Sequence, residues 1–466
     1  MDTRIDPAKV TRLLGDWRSP ALPDYKALAR ALGDLIDGAR LSAARILPSQ
    51  RSLATVLGVA RGTVVRAYRI LDESGRLMPK RGSGHYVIRT ESACTNNDGD
   101  FLSFADHPPE IDLSSSALPG DDVVVEAMGS AASMLTPERL ACAGYAPSGI
   151  AELRDLVAQK YTNAGFPTSS KEILITTGAQ QAVWLVAHAL TGPGTLTTVE
   201  DPTYPEALDA FRGAGSRVHG IPLTRGRLDL EALSSSISRA AVLYVQTPIH
   251  NPTGCHYSGS LRRQIGEIVE GHPAVVVDDH SQADLPWFRS SPLPGLESHV
   301  DPGRLLTIGT LSKLFWGGLR IGWVRGPSSL IRQLSSLKST VDMGAAIPDQ
   351  LASLLLLPRS QEQLLKRKAD LFSRYCAAAK ILRETFPTWA WDQPAGGTGL
   401  WIDTSVDAAA LARVAARIGI RIAPGRMFSQ TDGCTRCLRL SVWHDAETMR
   451  RALTALRREQ GKRKRR

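Results

Sequence analysis

The sequence predicts an α/β protein built in two unlike parts. The first is a winged helix-turn-helix over residues 1–90. The second is a large domain with a mostly parallel sheet, completed by a small α+β C-terminal subdomain. Three observations predict this. Helical periodicity recurs three times between residues 25 and 75 and then gives way to a hairpin pattern. Beyond about residue 111, six short apolar runs alternate with helical stretches, as in a parallel sheet covered on both faces. The charge is also uneven. Of a net +10, residues 1–90 carry +8, the last five residues +5, and residues 91–461 carry −3.

In chain order, YKALARALGDLID (25–37) sets Leu28, Ala31, Leu32, Leu35 and Ile36 on one helical face, and Gly38 stops it. ILPSQRSLATVLG reads as a second helix with Ser49 as its N-cap. After the turn GVA comes a third helix, RGTVVRAYRILDESG, ending at Gly75. RLMPKRGSGHYVIR reads as two strands around a basic, glycine-rich turn. In a helix-turn-helix the second helix of the pair enters the major groove. Here that helix offers Arg61, Thr63, Arg66 and Tyr68, and the hairpin tip offers Lys80, Arg81 and Gly82. Arginine can fork onto guanine or hold phosphate, and glycine lets the backbone approach closely. Any one arginine alone reads as a solvated helix face. The ordered set, with +8 of charge, points to double-stranded DNA.

Residues 91–110, ESACTNNDGDFLSFADHPPE, are polar and aperiodic and read as a linker. The large domain follows over 111–458, its small subdomain beginning near 360, and 459–466 form a basic tail that reads as a solubilising extension. The apolar runs are EILITT, GTLTTVE, AVLYVQ, AVVVDD, RLLTIGT and LRIGWV. RLLTIGT delivers Thr310, Ser312 and Lys313 to the C-terminal end of a strand, where ligands bind in open α/β sheets. A lysine there can form a Schiff base with an aldehyde such as pyridoxal phosphate (PLP), and Arg320 can grip a phosphate. A surface lysine after a strand is the ordinary alternative. Other segments suit the same cofactor. TTGAQQ places Gly178, Ala179 and Gln180 at a helix N-terminus, a natural phosphate site. DPTYPE presents the ring of Tyr204, and HNPTG presents Asn251. LRLSV sets Arg439 in an apolar strand, which is costly unless the arginine meets a carboxylate.

Composition excludes several classes. Hydrophobic content of 43% and charged content of 22% are those of a globular protein, and no apolar run reaches 18 residues. The N-terminus has no apolar signal core, so the expected location is the cytoplasm. Six scattered cysteines are no disulfide framework, and the lone CxxC of Cys434 and Cys437 lacks a second ligand pair for a metal.

The stretch 25–88 closely resembles the GntR-type winged helix, which implies that Arg51, Arg61, Thr63, Arg81 and Gly82 approach DNA. Ala60 stands where that family usually has a capping serine, and Gly62 weakens the first turn. Residues 111–445 resemble fold-type I PLP-dependent aminotransferases, with TTGAQQ, DPTYP, HNPTG, GTLSK and the arginine of LRLSV in the family's order. The resemblance implies Lys313 as the Schiff-base lysine, Asp278 facing the pyridine nitrogen, and Arg439 holding a substrate α-carboxylate. Relatives read EDDY where this chain reads VDDH at 277–280. His280 therefore stands in place of a tyrosine that reaches the cofactor's phenolic oxygen, and Asp279 is left a structural part. The two parts together resemble MocR/GabR-type transcription regulators. That resemblance implies a homodimer, the DNA-binding arm of one chain lying over the other's large domain, and an amino compound or PLP as effector. The alternative reading is a working aminotransferase with an accessory DNA-binding arm.

Overall fold

The structure is a computed structural model and describes residues 5–15, 17–18, 22–37, 41, 46–73, 77–80, 84–87, 109–431 and 433–463. It divides into two units, Met1–Asp106 and His107–Arg466.

In the first unit, helices span Asp24–Asp37, Gln50–Leu57 and Arg61–Glu73, followed by an antiparallel hairpin of Leu77–Lys80 and Gly84–Val87. Ser49 caps the second helix by accepting the Ser52 amide at 3.0 Å. Gly58 follows it in the left-handed conformation (φ 65°), where a side chain would be strained, and reverses the chain into the next helix. A further helix, Pro7–Leu14, precedes the expected three. Its signal is a capping aspartate, Asp6, directly before a proline at the first helical position. Leu28, Leu32, Leu53, Val64, Leu71, Leu77 and Val87 form one core, and the hairpin docks on it through the ring of His85, edge-on to Tyr68.

The second unit is built on an eight-stranded sheet. Its spatial order is Ile173–Thr176, Gly322–Arg325, Leu305–Thr310, Val275–Asp279, Val242–Val245, Leu196–Asp201, Arg217–Thr224, Arg227–Leu228. The five strands from Leu305–Thr310 to Arg217–Thr224 are mutually parallel, and Gly322–Arg325 runs antiparallel to both neighbours. Both faces of the central strands are covered, so those strands are mostly apolar, while the edge strand Arg217–Thr224 alternates exposed and buried positions. Val277, Tyr244, Leu306 and Ile308 pack on one face with helices Ala179–Leu190 and Pro205–Gly213. Val276, Leu243 and Val245 pack on the other with helices Leu230–Ile237 and Gly259–Val269.

The C-terminal subdomain pairs Gly399–Asp403, Cys437–Ser441 and Ala423–Pro424 under helices Ser360–Thr385, Ala408–Ala416 and Ala446–Arg463. It also takes in the start of the unit. Ile111–Asp112 pairs in parallel with Ile420–Arg421, and Ile111, Leu113 and Leu118 join the same core. The sequence placed this subdomain from about 360 onward, because a two-residue strand carries no periodic signal. Among the described residues no helix is long and apolar enough to cross a membrane.

Gly62 is exposed in the first turn of Arg61–Glu73, and a Cβ there would meet no atom within 4 Å. Gly62→Ala is expected to stabilise the first unit by up to about 1 kcal/mol, read as a higher urea midpoint of the full chain.

Candidate cofactor site and nucleic-acid interface

The helix-turn-helix presents Arg51, Arg61 and Arg66 exposed and Thr63 partly so. Arg66 also lies over the Tyr25 ring at 5.6 Å, which orients its guanidinium without burying it. Tyr68 must be moved from the DNA face to the core. It is fully buried, and its hydroxyl donates to the Pro48 carbonyl at 3.0 Å. The reason is helical spacing, since Val64, Ala67, Tyr68 and Leu71 fall on the inward stripe. Arg69, exposed on the same side as Gly62 and Arg66, was missed by the sequence reading and takes its place as a candidate contact. Lys80 ends the first hairpin strand, while Arg81 and Gly82 lie outside the described residues.

In the second unit, the sheet's C-terminal edge assembles the other site. Strand Ile173–Thr176 leads through Gly178 (φ 83°) into helix Ala179–Leu190, whose N-terminus no side chain caps. Arg320 crosses this turn and donates to the Thr177 carbonyl at 2.7 Å. A Cβ on Gly178 would stand 2.9 Å from its guanidinium, so only glycine lets the arginine lie against the helix start. Thr310 Oγ1 donates to the Ile321 carbonyl and accepts the Ser312 amide, which ties the lysine-bearing turn to the Arg320 segment. Tyr204 donates to Gln180 Oε1 at 2.7 Å, which fixes its ring at the same helix start.

Lys313 Nζ donates to Ser116 Oγ at 3.0 Å. Burial pushes its amine down to about 8, with Arg439 adding to the fall while Glu206 and Asp279 oppose it. Arg439 is buried and donates to the Ser114 carbonyl at 2.9 Å and to Thr398 Oγ1 at 2.8 Å. Among the described residues no carboxylate stands within ion-pair distance of it. Burial lowers it to about 10. Thus Ser114 and Ser116, from the segment that crosses into the C-terminal subdomain, orient both cations. The sequence reading passed over these serines because nothing local links them to residues some 200 or 325 positions away.

The two aspartates separate. Side chains alternate across a strand, so in Val275–Asp279 the side chains of Val277 and Asp279 share one face and those of Val276 and Asp278 the other. Asp278 accepts the Thr247 amide at 3.0 Å, the Thr247 hydroxyl at 2.8 Å and the Leu296 amide at 2.9 Å. His280 stands beside it, with Nε2 at 3.0 Å from Asp278 Oδ2 and Nδ1 at 3.5 Å from Glu297. Asp279 lies on the face of helix Ala179–Leu190, accepts Tyr244 Oη at 2.6 Å, and acts electrostatically on Lys313 and Tyr204. The structure thus gives Asp278 and His280, expected at the pyridine nitrogen and the phenolic oxygen, partners within the protein. Asp278 and His280 are engaged with each other and with Thr247, Leu296 and Glu297, and Asp279 is the aspartate that acts on Lys313.

The residues present fit PLP. An uncapped helix start lies under an arginine, a lysine of depressed basicity stands beside it, and an aspartate shares their face. Asn251 Oδ1 and Gln282 Oε1 are also buried without hydrogen-bond partners, as expected where a polar group is to be received. Gln282, three residues beyond Asp279, was not foreseen, since a glutamine in a turn carries no motif.

Burial opposes charge on His280, but Glu297 and then Asp278 outweigh it and hold the imidazole up at about 9. Its unfolded value is near 6.5. A raised pKa stabilises the fold fully below about pH 6.5, and that contribution is lost as pH rises to about 9. Between these limits the second unit is expected to lose roughly 2–3 kcal/mol, and His280→Gln to flatten the change, as followed by urea midpoints across the range.

Comparison with known proteins agrees with this geometry. The family description "Aminotransferase class I and II" matches residues 108–456, and "Bacterial regulatory proteins, gntR family" matches 24–87. The chain is 28% identical over 418 residues to the HTH-type transcriptional regulator YisV of Bacillus subtilis, covering 84% of this chain and 86% of that protein. It is 24% identical over 392 residues to the HTH-type transcriptional regulator NorG of Staphylococcus aureus, covering 78% and 87%. Among solved structures it resembles LysN, the α-aminoadipate aminotransferase of Thermus thermophilus complexed with N-(5'-phosphopyridoxyl)-L-leucine. The TM-score is 0.69 and the identity 26%, over 76% of this chain and 92% of that one. The kynurenine aminotransferase of Pyrococcus horikoshii shares the fold with a TM-score of 0.70 at 22% identity, over 78% and 94%. The chain belongs to the aminotransferase class I and II family, here joined to a gntR-type DNA-binding domain in the manner of MocR/GabR-type transcription regulators.

Proposed function

We propose that this DNA-binding regulator holds PLP at Lys313 and senses an amino compound there. The carrying observation is that one segment, through Ser116 and Ser114, orients both the partly buried Lys313 and the buried Arg439, one suited to an aldehyde and the other to a carboxylate. When bound, the cofactor supplies a carbon that accepts amines and a ring that withdraws electrons. The chain's own residues do the rest. The start of helix Ala179–Leu190 and Arg320 bind the phosphate, and Tyr204 covers the ring. Asp279 holds a proton on the ring nitrogen, Asn251 and Gln282 face its oxygen, and Arg439 orients the effector's carboxylate.

Sensing follows if amine capture at Lys313 favours one of two arrangements of the winged helices in a homodimer, whose spacing has to match two half-sites on DNA. Such a dimer, with the arm of one chain over the other's large domain, is part of the proposal, as is a cytoplasmic setting. The second reading, a working aminotransferase, is favoured by the lowered basicity of Lys313, which leaves a share of the amine neutral and nucleophilic at neutral pH.

Footprinting with the purified holoprotein tests the proposal. Salt-sensitive, sequence-specific protection that shifts with an amino compound is expected, and its absence overturns the regulator reading. Keto-acid release over many turnovers would instead support the enzyme. Lys313→Ala is expected to abolish the cofactor's visible absorbance while circular dichroism is unchanged. Asp279→Asn should weaken cofactor retention by about tenfold or more, a loss on the order of 1.4 kcal/mol or greater. Asp278→Asn should chiefly lower the unfolding midpoint.

A further inference from the structure

The CxxC of Cys434 and Cys437 has no task in this scheme. Two thiols at that spacing serve a metal only with further ligands. Among the described residues no group of three histidine, cysteine, aspartate or glutamate side chains gathers to hold an ion. The structure gives the pair a different setting. The Cys437 amide donates to the Cys434 carbonyl at 3.0 Å, so the four residues form one tight turn. Such a turn brings its end Cα atoms within about 7 Å, and a disulfide spans about 4.4–6.8 Å between Cα atoms. Both cysteines pack on Gly425, where a Cβ would stand 2.5 Å from the Cys434 carbonyl oxygen and 2.7 Å from Cys437 Cβ. Both thiols are free and partly exposed, and Thr435 and Arg436 between them are exposed. Cys434 lowers the Cys437 thiol by hydrogen bonding, which makes Cys437 the readier thiolate.

The turn stands at a junction of the unit. Cys437 opens strand Cys437–Ser441 opposite Asp403 and shares a strand face with Arg439, two residues on. Arg436 donates to both carboxylate oxygens of Asp403, at 3.1 and 2.9 Å, and so holds the turn to that neighbouring strand. The loop before the turn reaches the edge of the large sheet. The Thr203 amide donates to the Phe428 carbonyl at 2.7 Å, and the Thr431 hydroxyl donates to Asp201 Oδ2 at 3.2 Å. Thr203 directly precedes Tyr204. One short stretch of chain therefore joins the strand of Arg439 to the segment of Tyr204.

We propose that Cys434 and Cys437 are a thiol–disulfide exchange site, oxidised by a small organic disulfide such as oxidised glutathione. The Cys437 thiolate attacks one sulfur of that disulfide, whose S–S bond breaks and releases one thiolate. Cys434 then gives up its proton and attacks the Cys437 sulfur, which expels the second thiolate. The protons of the two protein thiols end on the two released thiols. The chain loses two electrons and the small disulfide gains them. In a reducing compartment such a pair is oxidised transiently, as in redox sensing. The new bond draws the sulfurs to about 2.05 Å and contracts a turn that packs closely on Gly425. The contraction displaces the start of the Arg439 strand, so the oxidised protein holds a carboxylate less tightly. This consequence rests on the sensing site proposed above, whereas the exchange site does not.

The full chain is equilibrated in glutathione buffers of rising oxidised-to-reduced ratio, alkylated and read by mass spectrometry. A bond between Cys434 and Cys437 is expected: a peptide lighter by two hydrogens, closed to alkylation and restored by dithiothreitol. Cys142 and Cys376, exposed single thiols, are controls within the molecule and are expected to carry glutathione adducts. Cys434→Ser is expected to stop at a glutathione adduct on Cys437. Alkylation of both Cys434 and Cys437 throughout the series, or adducts on them without a bond, overturns the exchange site whether or not the chain holds PLP. The consequence is read by titrating L-alanine, L-norleucine and L-glutamate into reduced and oxidised holoprotein and following the cofactor absorbance. Binding about fivefold or more weaker in the oxidised form is expected, with Cys434→Ser alike in both buffers. Equal affinity in protein shown to carry the bond overturns the link to Arg439. No absorbance change with any of the three, in either form, counts against the sensing reading and leaves the exchange site to the mass result.

Discussion

Two positive groups, Lys313 and Arg439, held by one short segment are the constraint on which the rest of the large unit depends. Lys313 and Arg439 are both desolvated, and the arginine makes the lysine's charge less favourable. The strain falls on the lysine, because guanidinium keeps its proton and ammonium gives it up more easily. The outcome is a partly neutral amine, the form that attacks an aldehyde, beside a fixed cation that suits a carboxylate. The folded chain prepares both by turning one short segment under the pocket. Ser116 accepts from the lysine and the Ser114 carbonyl from the arginine. That segment is anchored by the pairing of Ile111–Asp112 with Ile420–Arg421. The site's electrostatics are thereby tied to the packing of the C-terminal subdomain.

The alternation of side chains across the sheet imposes a second order. Consecutive residues at the end of Val275–Asp279 cannot serve the same face, so the acid pair divides. Asp278 supports a buried corner with His280 and Thr247, and Asp279 joins the lysine's side through Tyr244. The corner is crowded, for a Cβ on Gly295 would stand 2.2 Å from His280 Nε2. His280 therefore stiffens this corner by charge pairing with Asp278 and Glu297.

The N-terminal unit follows simpler rules. Its core is filled from one stripe of each helix, and the opposite stripe carries the arginines. An excess of positive charge in this part of the chain favours phosphate without sequence preference, and the third helix of the trio leaves Arg61, Arg66 and Arg69 exposed and Thr63 partly so. A regulator needs both a general hold on DNA and a ligand that biases one arrangement over another, and the chain distributes these needs between its two units.

The sequence by itself determined the architecture and pointed to most of the residues proposed for the cofactor site. Periodicity located the helices and the hairpin, apolar runs located the strands, and short motifs located Gly178, Tyr204, Asn251, Lys313, Arg320 and Arg439. These signals are local, each carried by a few consecutive residues, and local signals are legible in a linear text. What only the tertiary structure decided is orientation and long-range partnership. Tyr68 proved to be core because its place on the helix circumference depends on where the other helices pack. Asp279 displaced Asp278 because the facing of a strand end depends on which side the helices cover. Ser114, Ser116 and Gln282 entered the site from turns that carry no motif. The physical reason is common to all of them: a side chain's task is set by what lies across the fold from it, and that is known only once the chain has closed.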